Sequence, residues 1–188
     1  MKLVQKMVII ISLTLAQNVL AEESSVFGGI EVGVSVAGAK GEYVGDMWGI
    51  LVGYKQFFSE RVGLRYYLDV SNVDLYYVKA PKVEAPRVVH YGANMDFLGN
   101  FISNENIDFG AFVGVGAGVD MWNGGGFWYR KHNIVNVALN IGLRVNIAKH
   151  HGIEIVQRVQ YNPIVEQGVS SYYPSVTSLR YTFSFGRR

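Results

Sequence analysis

Four histidines, His90, His132, His150 and His151, are the side chains best suited to acid–base or metal chemistry in this sequence. Cysteine is absent, which excludes a thiol nucleophile, a zinc–thiolate site, a disulfide framework and a lipid-modified N-terminal cysteine. The pair His150-His151 has one further ligand type nearby, Glu154, so a metal site there is incomplete. His90, Asp96 and Ser103 supply the residue types of a hydrolytic triad, but a triad is defined by geometry that spacing alone does not give. No catalytic, cofactor-binding or metal-ligating residue is assigned, and no cofactor is expected.

Two glycine-rich stretches invite a phosphate-loop interpretation. Gly114-Val-Gly-Ala-Gly118 lies inside an alternating apolar segment, where glycine permits close packing on one face of a strand. Gly124, Gly125 and Gly126 lie in a segment with Trp122, Phe127, Trp128, Tyr129, Arg130 and Lys131. Aromatic side chains beside cations suit contact with lipopolysaccharide or a host surface, so Trp122, Phe127, Trp128, Tyr129 and Arg130 are candidate surface-contact residues. The Pro-punctuated segment 79–87 reads as an outer loop.

The elements that must hold these residues are strands. Residues 61–70 set Val62, Leu64, Tyr66, Leu68 and Val70 on one face against Arg61, Gly63, Arg65, Tyr67 and Asp69 on the other. The same period of two recurs over 27–38, 47–57, 89–97, 107–119, 135–147, 153–161 and 177–185, with Gln157 a polar exception on an apolar face. These eight segments run from about nine to thirteen residues, near the length of a tilted membrane-crossing strand. Short links at 59–60, 100–106 and 149–152 alternate with long ones at 71–87, 120–133 and 162–175; the first outer link, 39–46, is modest. Short periplasmic turns and longer outer loops give that rhythm. The predicted fold is all-β: an antiparallel up-and-down transmembrane β-barrel of eight strands.

The polar faces separate a membrane barrel from a soluble sandwich. A water-facing sheet favours Lys, Glu and Thr, whereas here glycine, asparagine and arginine dominate, with scattered acids. A narrow barrel has room inside only for side chains. The expected lumen charges are Lys55, Arg61, Arg65, Arg144, Arg158 and Arg180 against Glu31, Asp69, Asp96, Asp108 and Glu154. Near balance predicts a salt-bridged plug rather than an open channel. His90 falls on the same inward face, away from the bilayer access that a lipid-modifying barrel enzyme needs. Trp48, Phe57, Phe58, Phe97, Phe101, Phe109, Tyr161 and Phe185 lie near strand ends, as interfacial aromatic girdles do.

Composition agrees. Of 188 residues, 17% are charged, below the roughly 25% of soluble domains, while 13% are aromatic and 22 positions are glycine. Lys2 and Lys6, an apolar run over 7–15 and Val19-Leu20-Ala21 before two acids form the parts of a secretory signal peptide, with cleavage expected after Ala21. The expected organisation is therefore 1–21, a cleaved signal, and 22–188, a single barrel domain. Removing the signal leaves 15 basic side chains against 15 acidic ones, so the net charge points to no nucleic-acid partner.

Three stretches then carry a resemblance: Tyr91-Gly-Ala-Asn-Met-Asp-Phe-Leu-Gly-Asn-Phe101, Phe109-Gly-Ala-Phe-Val-Gly-Val-Gly116 and, above all, Asn140-Ile-Gly-Leu-Arg-Val-Asn-Ile-Ala-Lys-His-His-Gly-Ile-Glu154. They resemble the C-terminal barrel region of the Helicobacter outer membrane protein family. The resemblance spans roughly 61–154 plus the aromatic final strand, and implies insertion in the outer membrane and, in some members, adhesion or pore formation. It places His150-His151 at a periplasmic turn. Large members carry an extensive extracellular domain for which this chain has no room, which counts against receptor-binding adhesion. Family members tend to end on an aromatic residue, whereas Gly186, Arg187 and Arg188 follow Phe185 here. Tyr181, Phe183 and Phe185 still resemble the alternation read by the barrel-assembly machinery.

The expected function is that of an integral outer-membrane protein with a structural or surface role, a plugged interior and no catalysis. A narrow pore, a minor adhesin acting through outer loops and a lipid A-modifying enzyme are the alternatives. The expected partners are outer-membrane lipid and lipopolysaccharide, the barrel-assembly machinery and a host surface.

Overall fold

Alternating side chains dictate the architecture of the computed structural model, which describes residues 24–37, 43–78, 87–104, 106–123, 132–161 and 175–185. Eight strands follow one another: β1 (Ser25–Ala37), β2 (Tyr43–Phe57), β3 (Val62–Tyr77), β4 (Arg87–Ser103), β5 (Ile107–Asn123), β6 (His132–Ile147), β7 (His151–Tyr161) and β8 (Ser175–Ser184). Each pairs antiparallel with the next, and β8 pairs back onto β1, closing the barrel. Closure leaves no strand edge unpaired, which is what allows strands to cross a membrane.

The pairing fixes the geometry. From Gln56 on β2, stepping to each paired neighbour leads through Leu64, Phe97, Val113, Ile141, Gln157, Thr177 and Val34, and back to β2 at Asp46, ten residues from the start. With about 3.3 Å per residue and about 4.8 Å between strands, that stagger tilts the strands by about 40° and gives a radius of about 8 Å. Each step climbs about 3 Å along the axis, and the full circuit about 25 Å. The outward face between Gln56 and Asp46 carries Tyr54, Val52, Ile50 and Trp48, all exposed, so one circuit matches the apolar band expected of an outer-membrane barrel.

The strands are longer than the alternation predicts, from 10 residues in β8 to 17 in β4 and β5. The cause is an inversion of the pattern. Above Val70 the outward residues of β3 include the polar Asn72 and Asp74 before Tyr76, and the inward ones turn apolar (Val73, Leu75), while the ladder to β2 and β4 continues. At this end the strand has the pattern of an ordinary sheet that packs a core on its inner face. The outer links on either side of β4 and β5 shorten accordingly.

Some expectations need correction. Arg61 is exposed rather than in the lumen. The Ser59 hydroxyl accepts from the N–H groups of Arg61 and Val62, so the chain is still turning there and the ladder starts at Val62. Phe57 is not a girdle residue: it faces inward, half-buried against Leu98, Phe112 and Val156. Trp48, Phe58, Phe97, Phe101, Tyr161 and Phe185 do face outward and are exposed.

The β6–β7 turn is held by two non-glycine residues with positive φ, Ala148 at 52° and Lys149 at 64°. Lys149 anchors it by donating to the Asn104 carbonyl at 2.7 Å, across to the β4–β5 turn. His150 and His151 lie here too, engaged with the Ser184 carbonyl and the Tyr181 hydroxyl.

Candidate functional site

Inward-pointing residues of all eight strands converge on the lumen, which is filled in layers. Nearest the periplasmic turns, Asp108 accepts from Ser103 at 2.5 Å and from Lys149 at 3.3 Å. Arg144 donates to Asn100 at 3.3 Å, and Lys55 is buried at the same level.

Above lies a cluster of ion pairs. Arg65 reaches Glu154 at 2.5 Å through one nitrogen and Asp96 at 2.6 and 3.1 Å through two others. Glu154 also lies 3.6 Å from Arg180 and 3.9 Å from Arg144. Arg180 donates to Glu31 at 2.9 and 3.0 Å. The Arg65 guanidinium sits over the rings of Phe112, Tyr67 and Phe27, at 4.7, 5.3 and 5.7 Å from their centroids. Flat guanidinium groups suit this setting because they pair with carboxylates in the plane and stack on rings above it.

The next layer centres on His90, which is buried at 2% exposure. Its Nδ1 is 2.6 Å from Asp120, and its Nε2 is 2.7 Å from Arg158 and 3.6 Å from Asp69. Asn94 donates to Asp69 at 2.5 Å and accepts from Asn140 at 3.0 Å. This crowding is possible because β5 offers glycines opposite the polar row of β4. Asp96 is paired with Gly114, Asn94 with Gly116 and Gly92 with Gly118. A Cβ on Gly118 would lie 2.5 Å from His90 Cε1, and one on Gly92 would lie 2.5 Å from His90 Nε2.

An apolar cluster lies toward the outer end. Ala37, Met47, Val73, Leu75, Val88, Trp122 and Val176 form one buried cluster, with Tyr43 and Ile134 against it. Between this cap and the polar layer lies a cavity of about 20 Å³, bordered by Ser35, His90, Asp120, Trp122, Arg158 and Gln160. That is room for about one water molecule.

The lumen therefore holds ten of the eleven expected charges: Glu31, Lys55, Arg65, Asp69, Asp96, Asp108, Arg144, Glu154, Arg158 and Arg180 are buried, and Arg61 is not. Asp120 belongs with them, one residue beyond the alternating segment 107–119, because β5 continues to Asn123. Its signal was present: Asp120 continues the phase of Asp108, Gly114, Gly116 and Gly118. Trp122 is not a surface-contact residue. It lies in β5 with 1% exposure, inside the cap. Phe127, Trp128, Tyr129 and Arg130 lie outside the described residues. Tyr181 and Phe183 face outward on β8, and Phe185 follows just beyond it.

The residue types of a triad are not brought together. His90 pairs with Asp120, Asp96 pairs with Arg65, and Ser103 bonds Asp108 at the opposite end of the barrel. Among the described residues no cluster of three or more potential metal ligands occurs.

Known proteins resemble the chain in both sequence and fold. The family model described as Helicobacter outer membrane protein matches residues 49–187. No curated protein matches the sequence. Neisserial surface protein A shares the fold with a TM-score of 0.60 at 14% identity, covering 86% of this chain and 99% of that one. Ail, the attachment invasion locus protein of Yersinia pestis, gives 0.56 at 14% identity, covering 88% and 99%. The outer membrane enzyme PagL gives 0.50 at 12% identity, covering 82% and 97%. At such identities these likenesses establish a common eight-stranded barrel and nothing about activity.

Proposed function

This chain belongs to the Helicobacter outer membrane protein family, and on that premise we propose that it is a closed, non-catalytic barrel with a structural and surface role. It resides in the outer membrane. The observation that carries the proposal is the bond from Arg65 on β3 to Glu154 on β7, which crosses the lumen between opposite walls. An ion passing through would have to separate charge-assisted bonds at this level and then displace the apolar cap around Trp122.

The rest of the proposal follows the sequence. Residues 1–21 act as the export signal and are removed. Tyr181, Phe183 and Phe185 serve as the aromatic signal for the barrel-assembly machinery. Lipid and lipopolysaccharide surround the apolar band, and Phe127, Trp128, Tyr129 and Arg130 supply the contact surface toward lipopolysaccharide or a host.

Single-channel recording on the refolded chain tests the closed barrel. The expected result is a silent bilayer; stable, reproducible conductance steps would replace it with a narrow pore. Mass spectrometry of lipid A from cells with and without the gene tests the absence of catalysis, and identical spectra are expected. Host-cell attachment after deletion of 124–131 measures the loop contribution.

A further inference from the structure

The lipid-facing surface has a polar interruption on one side. Along β7 the outward row reads Ile153, Ile155, Gln157, Val159, Tyr161, and along β8 it reads Ser175, Thr177, Leu179, Tyr181. Gln157 is five pairing steps from Gln56, which places it about 15 Å above the periplasmic edge of the band and about 10 Å below the outer edge. Its partner Thr177 is one step higher. The amide therefore stands within the hydrocarbon layer, where an unsatisfied polar group costs several kcal/mol and polar side chains mark contacts.

The amide is held in a fixed orientation. Gln157 Nε2 donates to the Ser175 hydroxyl at 2.7 Å, and Gln157 Oε1 accepts from the Thr177 hydroxyl at 2.6 Å. These bonds use one of its two amide hydrogens and one of its two acceptor positions. One donor and one acceptor remain, side by side, on a half-buried side chain. Hydrocarbon tails match neither.

We propose that this face, centred on Gln157 and flanked by Val159, Tyr161, Leu179 and Val34, docks a second copy of this chain. Two copies in one membrane share one orientation, so a two-fold axis along the membrane normal brings the two Gln157 amides to equal depth. Each then donates its spare N–H to the other's Oε1, a self-complementary contact of the kind a two-fold interface requires. Exposed Val34, Val159 and Leu179 supply apolar surface around it.

The natural chain has no cysteine, so a single introduced thiol reports on proximity. Val159→Cys lies on the proposed face and Val70→Cys on β3, across the barrel; both positions are exposed. The full chain is refolded into phospholipid vesicles and treated with a short thiol-to-thiol cross-linker. Dimer is expected with Val159→Cys and only background with Val70→Cys. Adding Gln157→Leu to Val159→Cys should lower the yield about fivefold, with the heat-modifiable folded form retained. Equal yields from both faces, or a yield unaffected by Gln157→Leu, would overturn the proposal. So would dimer that forms only when lipopolysaccharide is added, since lipid would then be the bridge. If Gln157→Leu does not fold, sedimentation of the wild-type chain in density-matched micelles decides: a persistent dimer supports the proposal and monomer at all concentrations sinks it.

Discussion

Arg65 and Glu154 meet at 2.5 Å although their strands, β3 and β7, stand on opposite walls of the barrel with four pairing steps between them in either direction. Glu154 is the acid at which Arg65, Arg144 and Arg180 converge. Its removal leaves the buried guanidinium groups of Arg65, Arg144 and Arg180 close together with one carboxylate fewer among them, while Arg65 keeps Asp96 and Arg180 keeps Glu31.

Glu154→Ala should therefore lower stability by about 3–5 kcal/mol, the cost of stranding buried charge. Denaturant unfolding of the refolded protein in micelles measures this. A double-mutant cycle with Arg65→Ala isolates the pair, and a coupling of about 1 kcal/mol or more is expected. Coupling near zero would mean that the cross-lumen contact does not hold the plug.

The His90 layer gives a prediction about a proton. Arg158 carries only donors, so His90 Nε2, 2.7 Å away, must accept. The ring proton then sits on Nδ1 and donates to Asp120. Nitrogen-15 spectra of histidine-labelled protein, assigned by comparison with His90→Gln, should show the proton on Nδ1 of His90. A signal from the Nε2–H form contradicts the arrangement. Asp120→Ala should cost about 1–3 kcal/mol by leaving that buried N–H without its acceptor.

The barrel and ten of its lumen charges were legible because, within a membrane, the environment imposes one rule on every strand: apolar outward. Trp122 lies where the rule reverses, whereas Asp120 still follows the rule one residue beyond the 107–119 segment. Outside the bilayer the same ladder puts Val73, Leu75 and Trp122 inside and Asp74 outside, so a reader following the membrane phase ends each strand too early. Arg61 failed for a local reason, since Ser59 keeps the backbone in its turn. Which charges pair was not legible at all. Arg65 and Glu154 are 89 positions apart in the chain, and only the stagger of the closed barrel brings them level.

Glycine placement separates tight from open positions on neighbouring strands. A Cβ on Gly118 would meet His90 and the Tyr91 carbonyl, whereas one on Gly99 would meet nothing within 4 Å. Gly118→Ala should destabilise by about 1–3 kcal/mol, as overpacking does, while Gly99→Ala should stay within about 0.5 kcal/mol of wild type. Equal effects at the two sites would show that His90 does not press on β5.

Three lysine substitutions on β3 test where the membrane ends. Leu68 is exposed, points outward and lies near mid-band, so Leu68→Lys should cost about 2–4 kcal/mol in a bilayer. Tyr76 also points outward, but it stands beyond Asp74, above the outer edge, so Tyr76→Lys should be nearly neutral. Leu75, its immediate neighbour, is buried in the cap; Leu75→Lys forces a charge among Val73, Val88 and Trp122 and should destabilise as severely as the mid-band change. Refolding into vesicles, followed by denaturant titration, ranks the three. An ordering in which Tyr76→Lys costs more than Leu75→Lys would place the outer end of β3 in lipid and remove the basis for the inverted pattern.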